Sequence, residues 1–185
     1  MSNLSRRGFL ASAGAATSLA ACGNGVGSNG ASIIDARVNS TRDYLFNNFP
    51  NTRELADKAL GILYMPLITE AGLGIGGAFG RGALRIQDAT VDYYSATKAS
   101  VGLQIGAQQY AHALFFMTPD ALSNFRRSNG WAAGADLKYA VSDEGQILRA
   151  ETTTVLDPVL AVVFGQAGLI VGATVEGTKY NRIIP

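Results

Sequence analysis

The chain has 185 residues, with 15 Lys and Arg against 14 Asp and Glu, 48% hydrophobic residues, 16% charged residues and 22 glycines. That length suits one domain with a proper core, and so apolar a composition excludes wholesale disorder. No apolar run reaches the ~18 to 20 residues of a spanning helix, and the near-neutral balance lacks the basic footprint that nucleic-acid binding requires.

The N-terminus reads as an address. Ser5-Arg6-Arg7-Gly8-Phe9-Leu10 sets Arg6 and Arg7 before an uncharged, mildly apolar stretch from Gly8 to Ala21, an n-region followed by an h-region. The arginine pair resembles a twin-arginine export signal. Leu19-Ala20-Ala21-Cys22 resembles the lipobox of bacterial lipoproteins, which implies a signal peptide over 1–21, cleavage before Cys22 and acylation of that thiol. Cys22 is the only cysteine, so no intramolecular disulfide can form. Two or more acyl chains give stable attachment where one is marginal. Gly23 follows, not the aspartate linked with inner-membrane retention, so the resemblance implies a palmitate-type anchor on the outer membrane, facing the periplasm. Cleavage would remove Arg6 and Arg7, leaving 13 cations against 14 carboxylates and a side-chain charge of −1.

Residues 22–30 then form a lipidated cysteine and a polar, glycine-rich tether, and 31–185 form the folded domain. Ile34, Val38, Thr41, Leu45 and Phe49 are spaced by three or four, one stripe of an amphipathic helix that packs on a sheet, and Pro50 stops it. A second short helix is expected over Thr52 to Leu60, with Asn51 or Thr52 as N-cap and Glu54 in the first turn.

After Gly61 the pattern becomes strand-like. Ile62 to Ile68 is an apolar run interrupted by Pro66. Val101, Leu103, Ile105 and Ala107 alternate with Gly and Gln, and Leu169, Val171, Ala173 and Val175 alternate likewise. Pro119 to Arg126 reads as a helical excursion capped by Thr118, and Asp143-Glu144-Gly145 as a hairpin turn. The expected fold class is α+β: two N-terminal helices and a curved, mainly antiparallel, glycine-rich sheet or partial barrel with one helical excursion.

Gly72, Gly74 and Gly77 spell G-x-G-x-x-G, with Asp92 at the distance of a ribose-binding acid. A dinucleotide site also needs a helix opening at that loop, and Phe79 to Ile86 reads as strand. Glycines of a bent strand, allowing close backbone approach, are the reading adopted. Nothing assembles a catalytic site: His112 is the only histidine, in an aromatic run with Tyr110, Phe115 and Phe116, and no G-x-S-x-G elbow presents a serine. A structural, hydrogen-bonded histidine is expected, and one histidine with an acylated cysteine cannot hold zinc. Asp88, Asp92, Asp143 and Glu144 read as solvated turn carboxylates. No catalytic residue, metal or cofactor is expected.

Several separated motifs resemble the SYLF domain family in one order: Gly72 to Gly82, Tyr93-Tyr94, Ser100 to Gln108, Phe115 to Thr118, Ala121-Leu122, Asn129-Gly130-Trp131, Gly134-Ala135-Asp136, Phe164 to Leu169, and Glu176 to Lys179. The resemblance runs from about Asn51 to Arg182 and implies a non-enzymatic lipid-binding domain. Eukaryotic members bind phosphoinositides and, in yeast, actin filaments, through N-terminal segments. Here that stretch mixes Arg37, Arg42 and Arg53 with Asp35, Asp43 and Glu54, and actin is not expected in a bacterial envelope. A lipid site needs apolar surface rimmed by cations. Arg37 and Arg42 on the first helix, with Arg126 and Arg127, are the headgroup candidates. Trp131 is either an interfacial anchor or core. Membrane phospholipid is the expected partner; the alternative is an envelope scaffold that binds a protein and meets the membrane only through its acylated cysteine. A hydrolase using His112 ranks third.

Overall fold

The computed structural model describes residues 28–134, 137–139, 157–165, 168–169 and 175–185. Arg6, Arg7, Cys22, residues 22–27 of the tether, the Asp143-Glu144-Gly145 turn, Val171 and Ala173 lie outside the described residues.

Helix α1 (Gly30–Asn48) begins one residue inside the span read as tether and ends before Pro50. Ile34, Val38 and Leu45 are its buried residues, while Thr41 and Phe49 are half-buried, so the expected stripe faces the sheet. Three polar contacts fix its seat. Asp35 accepts hydrogen bonds from Thr90 Oγ1 at 2.8 Å and Tyr93 Oη at 2.7 Å, and Tyr44 Oη donates to the Gly165 carbonyl at 3.1 Å. Helix α2 (Asn51–Lys58) has Glu54 in its first turn, as read. Its cap differs from the expectation: Pro50 holds the N-cap position and no side chain caps the helix. Asn51 and Thr52 lie inside the helix, and the Thr52 hydroxyl instead donates back to the Phe49 carbonyl at 2.6 Å.

Strands β1 (Gly61–Ile86) and β2 (Ala89–Phe116) form one long antiparallel hairpin. Its turn residues Gln87 and Asp88 have φ of 49° and 64°, the left-handed pair whose twist matches that of the flanking strands. Pro66 does not break β1; the register shifts between Met65 and Ile68 instead, because proline lacks the donor a regular ladder needs there. Helix α3 (Pro119–Arg127) follows, with Thr118 Oγ1 accepting from Ala121 N at 3.3 Å as the expected cap.

The remaining strands among the described residues are β3 (Trp131–Ala132), β4 (Leu137–Tyr139), β5 (Val159–Gly165), β6 (Gly168–Leu169) and β7 (Lys179–Ile183). The first part of β2 pairs with β7 over Tyr93–Thr97, and its last part pairs with β5 over Ala111–Phe116. β3 pairs antiparallel with the start of β7, β6 turns back on β5, and β4 lies parallel to β5. The result is the expected α+β fold with a curled, mainly antiparallel half-barrel.

Both faces of the central strands are buried. Ile62, Tyr64, Ala113, Phe115, Leu160 and Val162 meet α1 and α2, while Leu63, Met65, Leu114, Phe116, Ala161 and Val163 meet α3 and β7. Two buried faces explain why β5 is one continuous apolar run rather than an alternating one. β1 is also folded on itself. A Cβ at Gly80 would land on the Leu67 carbonyl oxygen and the Ile68 side chain, and one at Gly82 on the Tyr64 carbonyl oxygen and the Met65 sulfur. Gly72 approaches Gly76 Cα at the bend in the same way. The glycine run is therefore strand throughout, with the bent-strand role read for it, and no helix opens at the G-x-G-x-x-G loop.

Backbone atoms cannot yield as a flexible side-chain end can, so overpacking here is costly. Gly80→Ala and Gly82→Ala are each expected to lower the urea unfolding free energy by about 1–3 kcal/mol. Gly134→Ala, where an added Cβ meets nothing within 4 Å, is expected to stay within about 0.5 kcal/mol of the parent.

Candidate functional site

Phe125 is fully buried on α3, its ring 4.6 Å from Tyr94, 4.7 Å from Phe116 and 5.4 Å from Trp131. That single anchor sets α3 against the sheet and leaves the next two residues, Arg126 and Arg127, at the helix's exposed end. Trp131, half-buried and also 5.8 Å from Tyr180, belongs to this aromatic cluster, which decides its role in favour of core.

Between α3, the Ser128-Asn129-Gly130 turn and β7 lies a groove of about 940 Å³. Leu60, Pro119 and Leu122 give it an apolar wall, and Arg126, Arg127 and Arg182 bring charge to its edge. Asp92 organises two of those cations. Arg126 Nε donates to Asp92 Oδ2 at 3.0 Å, and Arg182 Nε lies 3.3 Å from Asp92 Oδ1, one guanidinium on each oxygen. Arg182 Nη2 also donates to the Arg126 carbonyl at 2.8 Å, tying the helix end to β7. Among the described residues Arg127 makes only a long bond, Nε to the Ser123 carbonyl at 3.4 Å. A fourth cation crosses the groove's rim: Lys179 runs over Gly130, which holds φ at +93° and where a side chain would collide with the lysine Cε.

The four arginines read from the sequence do not form one site. Arg126 and Arg127 line the groove, whereas Arg37 and Arg42 do not. Arg37 is exposed on α1. Arg42 is committed to Asp88 at 2.9 Å, on the β1–β2 turn, and to Asp43 at 3.3 Å. Asp88 is the turn carboxylate expected, though it is ion-paired. Asp92 is a correction: it sits on β2 with its side chain only 12% exposed and bridges two arginines, so it is no solvated turn acid. Sequence reasoning missed Arg182, Lys179 and the role of Asp92, since nothing but the fold joins them to α3.

His112 is buried on β2, its Nε2 sharing a hydrogen bond with Tyr180 Oη at 2.8 Å. Among the described residues its Nδ1 has no partner. Burial, with the charge of Lys98 nearby, pushes its pKa down to about 3, so it is a neutral core residue, as read. No group of three or more His, Cys, Asp or Glu is arranged to hold a metal among the described residues.

The fold is thus an α+β half-barrel carrying a cation-rimmed groove between the short helix α3 and strand β7. Residues 97–182 match the Ysc84 family model, described as Las17-binding protein actin regulator, so the SYLF resemblance of the sequence holds, carried by that stretch. The match includes α3 and most of β7, and with them Arg126, Arg127, Lys179 and Arg182. No curated protein matches the chain.

The histidine gives a stability prediction with a fixed sign. The unfolded chain takes a proton at the ordinary 6.5, while the fold refuses it until about 3. Stability is therefore full above pH 6.5 and is lost as pH falls through that window. Between pH 6.5 and 5 the parent should lose about 2 kcal/mol that His112→Gln, which can still bond Tyr180, does not lose. Urea denaturation of both proteins at the two pH values measures the difference.

Proposed function

We propose that this chain is an exported bacterial lipoprotein, cut before Cys22, acylated there and held on the outer membrane facing the periplasm, with a non-enzymatic domain that binds phospholipid. The observation that carries the lipid reading is the groove, where Leu60, Pro119 and Leu122 lie beside Arg126, Arg127 and Arg182. An apolar wall edged by cations suits an anionic headgroup with the start of its acyl chains. The non-enzymatic reading is supported by the single histidine, sealed in the core against Tyr180. The lipoprotein reading rests on Arg6, Arg7 and the Leu19-Ala20-Ala21-Cys22 lipobox.

A second reading is favoured by one feature. Ile75 and Phe79 are 78% and 50% exposed at and just beyond the bend of β1, two large apolar side chains four residues apart that a protein partner would cover. The family description names a protein that binds Las17 and regulates actin; for an envelope protein the corresponding partner would be another envelope protein.

Liposome co-flotation separates the two. Residues 23–185, made without Cys22 and so without acyl chains, should float with anionic vesicles at low salt and detach at high salt. Arg126→Glu with Arg127→Glu should reduce flotation by roughly tenfold or more, and Arg37→Glu should change it little. No flotation under any condition would leave the acylated cysteine as the membrane contact and turn the search to a protein partner.

A further inference from the structure

We infer that the groove between α3 and β7 selects a phosphate monoester headgroup, as on a phosphatidate, over phosphodiester and zwitterionic headgroups. The inference rests on the phospholipid reading above and goes beyond it in naming the chemistry recognised. Its basis is the juxtaposition of Arg126, Arg127 and Arg182 on the groove, with Lys179 at its rim; among the described residues Asp92, bonded to Arg126 and Arg182, is the one carboxylate paired with this cluster.

Charge comes first. Among the described residues Asp92 offsets one of the four cations, leaving an excess of three. A phosphodiester brings one negative charge and a monoester about 1.5 to 2 near neutral pH, so the monoester comes closer to balancing the site. A choline or ethanolamine headgroup would instead press its own cation against the arginines.

Donor geometry comes second. Asp92 takes the Nε of Arg126 and that of Arg182, which fixes both planes. Among the described residues the two Nη groups of Arg126 bond no protein acceptor, and Arg127 uses only its Nε, at 3.4 Å. Planar guanidinium forks match the terminal oxygens of a phosphate, and a monoester offers three of them where a diester offers two. Asp92 is thus a positioning residue: it aims Arg126 without meeting the ligand.

Size comes third. About 940 Å³ accommodates a headgroup, glycerol and the first carbons of an acyl chain, and an apolar wall of Leu60, Pro119 and Leu122 is too small to sheathe whole chains. Short-chain lipids therefore carry the whole recognised unit.

The test is calorimetric titration of the full chain with Cys22→Ser, using soluble dihexanoyl phosphatidate, phosphatidylglycerol and phosphatidylcholine. Inorganic phosphate and glycerol 3-phosphate are titrated in parallel. Phosphatidate is expected to bind roughly tenfold tighter than phosphatidylglycerol, as one or two extra charge-assisted hydrogen bonds at a half-exposed site would give. Phosphatidylcholine should be weakest. Arg127→Gln and Lys179→Gln, both exposed, should weaken phosphatidate binding more than phosphatidylglycerol binding, narrowing the tenfold gap to about threefold or less, with the melting temperature unchanged. Equal binding of phosphatidate and phosphatidylglycerol would overturn the monoester inference and leave the lipid reading standing. Binding of neither would overturn both. Inorganic phosphate binding as tightly as phosphatidate would show a phosphate site in which the lipid body plays no part.

Discussion

Where β1 crosses back over itself, its backbone at Gly80 and Gly82 comes within contact of Leu67, Ile68, Tyr64 and Met65. Only a residue without a Cβ fits there, and the closeness of that approach fixes how sharply the hairpin folds. β2 is paired with β1 along its whole length, so it must follow the same path. One strand can then serve two partners, β7 with its first part and β5 with its last. The same curvature brings Tyr94 and Phe116, from opposite parts of β2, onto the single ring of Phe125. α3 has its seat because the hairpin is bent, and the groove exists because α3 sits there. Asp92 of β2, Arg126 of α3 and Arg182 of β7 meet only as a consequence.

The elements legible in the sequence are those whose signal is local. The stripe of α1 and the Thr118-Pro119 start of α3 depend on spacing within a turn or two, and both stand where the residues put them. The length of β1 was not legible, since Pro66 and the glycines punctuate a strand that continues through them. Those signals report ladder donors and close approach, which a register shift and a fold-back satisfy without ending the strand. The Gln87-Asp88 turn carries no glycine to announce it, although Asp tolerates the left-handed region better than most residues. β5 hid in another way, since a run buried on both faces loses the alternation that marks a strand.

The site divides along the same line. Arg126 and Arg127 are neighbours in the chain and legible as a pair, while Lys179, Arg182 and Asp92 reach them only through tertiary structure. Arg37 and Arg42 share only their charge with that pair, and Arg42 is neutralised by Asp88 and Asp43 elsewhere on the fold. Composition counts charges. It does not say which of them are already paired.

Arg126 and Arg127 lie in the last turn of α3, where cations complement the negative end of the helix dipole, and on that ground alone they would need no ligand. The cations of β7 have no such helix end to complement. Lys179 and Arg182 belong to a strand, not to the helix, and strands have little net dipole to offset. Their positive charge adds to that of Arg126 and Arg127 in the same concavity, a mutual repulsion that folding would avoid if nothing offset it. Asp92, largely buried, offsets one charge and binds two guanidinium groups. A second such carboxylate would finish the neutralisation from within the protein, and among the described residues no second carboxylate is bonded to the cluster. An arrangement with one counter-charge for four cations is what a site for an anion from outside requires, and the apolar wall beside it fits that anion to an amphiphile.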